Sequence, residues 1–385
     1  MASKNTYCAF AVEEYSIDTE FGLYRPCPKT PYRKLEDVDF GNHADLVKLR
    51  QDLRNGVQNE WCNDCWYAEN NGAKSYRQVL GRDYKHELIA SDRLVPSNIE
   101  LKFSNLCNLR CIMCNSKCSS MWEDEQPITP DMLGPVRGKE VSEQILKYID
   151  RHYDDIKIIR MFGGEPVLHK QFNDVFDLIL SKPEGTKKEI SFSTNMYYNE
   201  AYRKRFEDNM MRCYEMGHKF FFRFSIDGVG DQGEYIRENM NWNKFEDNLH
   251  SFMEKFAHLP DFGRIRCNIA LNVTNIVYLD KIMQYIDDLG YDIIEPHYNY
   301  VSNPSHFYVM TYGSRLNEAL DIIYTQDYRR YSKYKKHVIE LLESMTHMEP
   351  DLEAIQKGKE WLDKYDNRTG RNFLEIFPLN KFMYD

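Results

Sequence analysis

Residues 103–115 read Phe-Ser-Asn-Leu-Cys-Asn-Leu-Arg-Cys-Ile-Met-Cys-Asn, so that Cys107, Cys111 and Cys114 form a CxxxCxxC directly after a strand-like run at 98–103. Three thiolates at this spacing make an incomplete cage. Soft sulfur ligands select zinc or an iron–sulfur cluster, and three ligands on a [4Fe–4S] cube leave one iron open to something other than protein. A zinc knuckle, or buried cysteines that merely cluster, would share the spacing, so the surrounding chain has to decide. Cys118 is a fourth thiol, and as a ligand it would close the cube. Residues 119–125 are helix-compatible, and Cys118 is expected on a helix face one turn past Cys114, pointing away from the cluster.

Outward from this loop the sequence alternates between two periodicities. The expected strands are 98–103, 156–162, 189–194, 219–226, 264–273 and 292–300. The helices between them are 140–152, with Val141, Ile145, Tyr148 and Ile149 on one face; 171–180, with Phe172, Val175, Phe176 and Ile179; and 201–214, 244–257 and 278–289. Strands alternating with helices imply right-handed parallel βαβ units. Six such strands predict an α/β fold, a partial (β/α)6 TIM-type barrel. Residues 126–139, with three prolines and two glycines, are expected as an irregular surface loop. Helices are also expected at 316–324, 337–345 and 352–365.

Functional residues in such barrels collect at the C-terminal ends of strands. Gly163-Gly164-Glu165-Pro166 follows the second strand, where glycine lets backbone approach a ligand and the acid can accept from an ammonium. Ser193-Thr194-Asn195 ends the third strand and Ser225-Ile226-Asp227-Gly228 the fourth. Their short polar side chains suit ribose hydroxyls or a carboxylate. Asp227 could equally face substrate or start a turn, and Asn272 and Asn275 could contact ribose or, more simply, be turn residues. Arg237 could hold a carboxylate in a bidentate pair or form a surface ion pair.

CxxxCxxC followed by Gly163-Gly164-Glu165-Pro166 resembles the radical S-adenosylmethionine (radical SAM) enzymes. The resemblance implies that Cys107, Cys111 and Cys114 hold a [4Fe–4S] cluster whose open iron binds S-adenosylmethionine. It also implies cofactor contacts at Gly163, Gly164, Glu165, Ser193, Asn195, Ser225, Asp227 and Arg237. Met113 departs from the family, which usually has an aromatic residue there; methionine is flexible and polarizable enough to fill the place. The implied chemistry is reductive cleavage to a 5′-deoxyadenosyl radical, which abstracts hydrogen from a substrate. An electron donor of flavodoxin or ferredoxin type is the implied partner.

Residues 1–80 hold a second thiol set, Cys8, Cys27, Cys62 and Cys65. Strands are expected at 7–17 and up to Arg25, and an amphipathic helix around Leu46, Leu49 and Leu53. A CxxC with two remote cysteines suits zinc on spacing alone. Cys8, Arg25-Pro26-Cys27, Gly41-Asn42, Leu49-Arg50, Cys62-x-x-Cys65 and Glu69 together resemble the twitch or SPASM modules of radical SAM enzymes, which implies an auxiliary [4Fe–4S] cluster. Those modules usually follow the barrel, whereas this one precedes it. The expected organisation is thus a metal-cluster module at 1–80, a connector at 81–97, the radical SAM core at 98–300 and a helical C-terminal extension at 301–385.

Hydrophobic residues make up 42% of the 385, enough for a buried core, and the 14% aromatic share excludes a disordered chain. A net charge of −10 disfavours general nucleic-acid binding. No apolar run is long enough to span a bilayer and the N-terminus lacks a signal-peptide core, so a cytoplasmic protein is expected. Seven of the ten cysteines fall into the two ligand-like sets, which fits reducing cytosol better than disulfides do. The twitch and SPASM resemblance implies a peptide or protein side chain as substrate, oxidised, crosslinked or epimerised. A small sugar or nucleotide is the alternative, and a non-catalytic iron–sulfur or zinc protein a third reading.

Overall fold

The computed structural model describes residues 6, 8–37, 40, 42–80 and 95–384. Its strands, in chain order, are β1 (Glu14–Asp18), β2 (Leu23–Arg25), β3 (Arg33–Lys34), β4 (Asn98–Lys102), β5 (Arg110–Cys111), β6 (Ile158–Phe162), β7 (Glu189–Thr194), β8 (Lys219–Ser225), β9 (Arg237–Glu238), β10 (Gly263–Leu271) and β11 (Ile294–Tyr300). The chain divides into two units. One comprises Met1–Cys107, Ser116–Phe192 and Lys204–Phe221; the other comprises Asn108–Asn115, Ser193–Arg203 and Phe222–Asp385.

In the first unit β7, β6, β4 and β1 run side by side in parallel, and β2 and β3 continue the sheet antiparallel. Register places Ile99 beside Tyr15 and Ile159, and Leu101 beside Ile17 and Met161, all fully buried. That apolar face takes the helices: Phe172 and Phe176 of helix Lys170–Leu180 pack on Phe192 of β7. The opposite face carries charge. Arg160 pairs with Glu14 at 2.5 Å, Lys102 with Asp18 at 2.7 Å, and Ser16 donates to Glu100 at 2.7 Å. Parallel strands enclosed on both sides usually read as continuous apolar runs. Here strict alternation separates an apolar face from an ion-paired one.

In the second unit β10 and β11 pair in parallel from Ile265 with Ile294 to Leu271 with Tyr300, and β8 flanks β10. Helix Trp242–Phe256 packs on β8 through Phe252, stacked 3.8 Å from Phe222. Helix Leu352–Thr369 seats Tyr365 on the short helix Asp231–Ile236, where its hydroxyl donates to the Tyr235 carbonyl at 2.7 Å.

All six expected barrel strands are present, within a mixed α/β fold built on parallel strands. Two local expectations differ. Residues 7–17 do not form one strand: Ala9–Glu13 is a helix and only Glu14–Asp18 is extended, because the Ala-Phe-Ala-Val-Glu run favours a helical turn before the alternation sets in. Tyr7 lies outside the described residues. Residues 119–125 form a single 3₁₀ turn, Ser120–Trp122, not a helix, since Ser119 caps it and Trp122 is drawn inward and buried. Within the expected N-terminal module, residues 63–80 hold helices Asn63–Asn70 and Tyr76–Leu80 and bury Trp66. Of the connector, 81–94 lies outside the described residues, as does Gly41. β1 pairs with β4, so residues 14–18 and 98–102 share one sheet.

Candidate functional site

In the first unit the chain leaves β4 in an irregular loop that ends on Cys107. Asn105 holds this loop: its Nδ2 donates to the Ser116 carbonyl at 2.7 Å and to Glu123 Oε1 at 2.6 Å, and its carbonyl accepts from Ser120 N–H at 2.8 Å. Cys107 N–H donates to Ser120 Oγ at 3.3 Å. The Leu106 carbonyl accepts from Glu165 N–H at 2.8 Å and meets His169 Nε2 at 3.0 Å. Burial lowers the His169 pKa, and a carbonyl can only accept, so Nε2 is the nitrogen that donates. Nothing about His169 in the sequence marked it; its place one turn past Gly163-Gly164-Glu165 was the available signal.

The two glycines are required by this loop. Gly163 and Gly164 have φ of +90° and +44°. A Cβ on Gly163 would stand 2.3 Å from Lys102 Cγ and 2.8 Å from the Ser104 carbonyl oxygen; one on Gly164 would stand 2.0 Å from the Leu106 oxygen. The sequence suggested that glycine here admits a ligand. What it admits first is the backbone leading into Cys107. Glu165 is buried and caps the 3₁₀ turn Pro166–Leu168, accepting from Val167 N–H at 3.2 Å.

In the second unit Cys111 and Cys114 share one tight turn, Cys114 N–H donating to the Cys111 carbonyl at 2.9 Å. β5 pairs antiparallel with β9, setting Cys111 opposite Arg237. The Arg237 guanidinium faces a carboxylate, as expected, but that carboxylate is Asp227 of the same chain, 2.6 Å away, in a buried pair. Asp227 also accepts from Ala270 N–H at 2.6 Å. The pair therefore ties the cysteine turn to the ends of β8 and β10. Asn195 is similarly engaged: its Nδ2 donates to Asn108 Oδ1 at 2.9 Å and its Oδ1 accepts from Tyr197 N–H at 2.8 Å. Asn272 and Asn275 are buried and bond the turn after β10, as turn residues should. Ser193 and Ser225 sit half-buried at the ends of β7 and β8, and Met113 is half-buried in the cysteine turn.

Cys118 is exposed and lies in the turn 116–118 rather than on a helix face. Like all ten cysteines it is free of disulfides.

The N-terminal thiols come together. Cys8, Cys27, Cys62 and Cys65 line one cavity, with Lys29, Asp64, Tyr76 and Arg77 also on its wall. Cys8 precedes helix Ala9–Glu13, Cys27 follows β2, and Cys62 and Cys65 bracket the start of helix Asn63–Asn70. Burial raises the pKa of the Cys8 thiol and pushes that of Cys62 up to about 12. Neighbouring thiols add to the rise, with Cys65 acting on Cys8 and both Cys8 and Cys65 acting on Cys62. Four thiols are the donor set that saturates a [4Fe–4S] cube. Among the described residues no three His, Cys, Asp or Glu side chains are grouped as for a single metal ion. No helix among them is long and apolar enough to cross a membrane.

Residues 101–257 match the family model described as Radical SAM superfamily. A GTP 3′,8-cyclase of Nautilia profundicola is 31% identical over 112 residues, 29% of this chain and 31% of the relative. A probable GTP 3′,8-cyclase of Archaeoglobus fulgidus is 29% identical over 116 residues, 30% of this chain and 32% of the relative. The match thus spans about a third of the length of these curated relatives. Among solved structures, native anSMEcpe with bound AdoMet and Cp18Cys peptide aligns over 58% of this chain and 57% of its own, with 15% identity and a TM-score of 0.39. Streptococcus suis SuiB aligns over 80% of this chain and 67% of its own, with 11% identity and a TM-score of 0.39.

Proposed function

We propose, from the premise that residues 101–257 form a radical SAM superfamily domain, that this protein is an enzyme that reductively cleaves S-adenosylmethionine and abstracts a hydrogen atom from a bound substrate. The observation that carries this reading is the fit of Gly163 and Gly164 to the loop entering Cys107, where the Leu106 oxygen occupies the place of a Cβ. When bound, the [4Fe–4S] cluster and S-adenosylmethionine supply the electron and the 5′-deoxyadenosyl radical. Cys107, Cys111 and Cys114 are the thiolates that would hold the cluster. Asn105, Ser120 and His169 orient the loop before it, while the Arg237–Asp227 pair and Asn195 fix the turn after it. Glu165, which also caps the turn Pro166–Leu168, and the half-buried Ser193 and Ser225 are read as the side chains that meet the cofactor. An electron donor of flavodoxin or ferredoxin type and a cytoplasmic setting belong to this reading.

Cys8, Cys27, Cys62 and Cys65 are read as a twitch- or SPASM-like site for an auxiliary [4Fe–4S] cluster, supported by their shared cavity. With a peptide or protein side chain as substrate, this cluster would accept the electron of the product radical. A nucleotide substrate is the second reading, favoured by the two relatives named GTP 3′,8-cyclase.

The test is anaerobic reconstitution followed by reduction in the presence of S-adenosylmethionine. The intact protein should release 5′-deoxyadenosine, and the variant with Cys107, Cys111 and Cys114 all replaced by Ala should release none. Equal release from both would refute the assignment.

A further inference from the structure

Arg77 belongs to neither thiol set, yet it lies on the wall of the N-terminal cavity with its side chain only 9% exposed. It is held from two sides. Its Nη2 pairs with Glu69 Oε2 at 2.5 Å, and its guanidinium lies 4.6 Å from the ring centroid of Trp66, the residue after Cys65. Both holders are themselves fixed: Ser75 Oγ donates to Glu69 Oε1 at 2.5 Å, and Trp66 Nε1 donates to the Asn59 carbonyl at 2.8 Å. Glu69 and Cys65 stand four residues apart on one helix, so the ligand and the anchor of the arginine share a face. The other charged residues on the wall, Lys29 and Asp64, are exposed and of opposite sign.

An oxidised [4Fe–4S] cube bound by four thiolates carries a net charge of about −2, and net charge is one of the levers that set cluster potential. Reduction adds a further negative charge to a site enclosed by buried side chains, where an uncompensated charge is costly. We propose that Arg77 is the charge-balancing residue of the N-terminal cluster: held by Glu69 and Trp66, it stabilises the reduced form and sets the reduction potential. This rests on the auxiliary-cluster reading above and goes beyond it, because it assigns a redox role to a residue that is not a ligand.

The test uses the full-length chain with Cys107, Cys111 and Cys114 replaced by Ala, so that only the N-terminal site holds iron. Iron content and the spectroscopically monitored midpoint potential are measured together. Arg77→Gln should retain iron and lower the reduced-to-oxidised ratio at fixed potential about tenfold, a shift of about 59 mV for one electron. Arg77→Lys should recover most of that shift. Glu69→Gln, which removes the counter-charge and leaves the guanidinium, should move the potential upward. A purely structural pair would move both neutral variants alike, and that outcome overturns the proposal, as does an unmoved potential in Arg77→Gln. If Arg77→Gln fails to retain iron, Glu69→Gln decides: a rise supports the charge role, and no rise overturns it. Zinc, or no iron, in the parent protein overturns the auxiliary cluster and this inference with it, whereas normal iron with an unmoved potential overturns Arg77 alone.

Discussion

Cys8, Cys27, Cys62 and Cys65 are 6–9% exposed and are gathered from a helix start, a strand end and a CxxC around one cavity. Cys107, Cys111 and Cys114 are half-buried and come from a single short loop. The contrast follows from where the donors originate. Donors collected from separate elements are enclosed by those elements, while donors from one loop can be covered only on the side where the loop is anchored. Closed sites of the first kind suit a saturated metal centre, and catalytic centres keep a position open. The anchoring differs accordingly. The loop is secured by backbone fit at Gly163 and Gly164 and by a buried ion pair, and the cavity by aromatic packing and helix starts.

The sharpest way to break this comparison is to empty the closed site. Cys62→Ala with Cys65→Ala should remove about half the iron and still release 5′-deoxyadenosine without substrate. Release falling to the level of the Cys107, Cys111 and Cys114 variant would mean that the two sites are not separable. Next in size is Arg237→Leu, which strands the Asp227 carboxylate in the interior. It should cost about 3–5 kcal/mol in chemical denaturation and disturb iron loading at the loop. A loss under 1 kcal/mol would show that the pair does not anchor the cysteine turn. Gly164→Ala places a Cβ against the Leu106 oxygen at positive φ and should cost about 1–3 kcal/mol, with weaker S-adenosylmethionine binding by titration. Unchanged melting and affinity would remove the backbone-fit argument. The smallest effect is expected of Cys118→Ser: an exposed turn residue should alter stability by no more than about 0.5 kcal/mol and leave iron and deoxyadenosine formation unchanged. Loss of either would make Cys118 a member of the open site.

Period and spacing made the strand and helix alternation from 98 to 300 legible, because each helix has one apolar stripe and each strand is bounded by turn residues. The strand ends carrying Ser193, Ser225 and the glycine pair were therefore located from sequence. What those residues do was less legible. Asn195, Asp227 and Arg237 read as ligand contacts in one dimension, and tertiary structure adds intrachain partners that sequence does not show, Asn108 for Asn195 and Ala270 for Asp227. The ion-paired face of β1, β4 and β6 was also overlooked, although Glu14-Tyr15-Ser16-Ile17-Asp18 and Asn98-Ile99-Glu100-Leu101-Lys102 alternate strictly. Parallel strands enclosed on both sides usually read as continuous apolar runs, so strict alternation is not the signal that marks a strand of such a sheet. Helix Ala9–Glu13 was missed because five residues are too few for a 3.6-residue period to declare itself.

The pairing of β1 with β4 has a consequence for biosynthesis. Ser16 and its partner Glu100 are separated by 84 residues, an interval that takes roughly 4–17 s to translate at 5–20 residues per second. Cys8 leaves the ribosome before Ser16 and Cys27 soon after it, so both emerge ahead of β4, the strand beside which β1 docks. The first two thiols of the N-terminal cavity are therefore outside the ribosome before the parallel neighbour of β1 emerges, and until then β1 has β2 alone as a sheet partner.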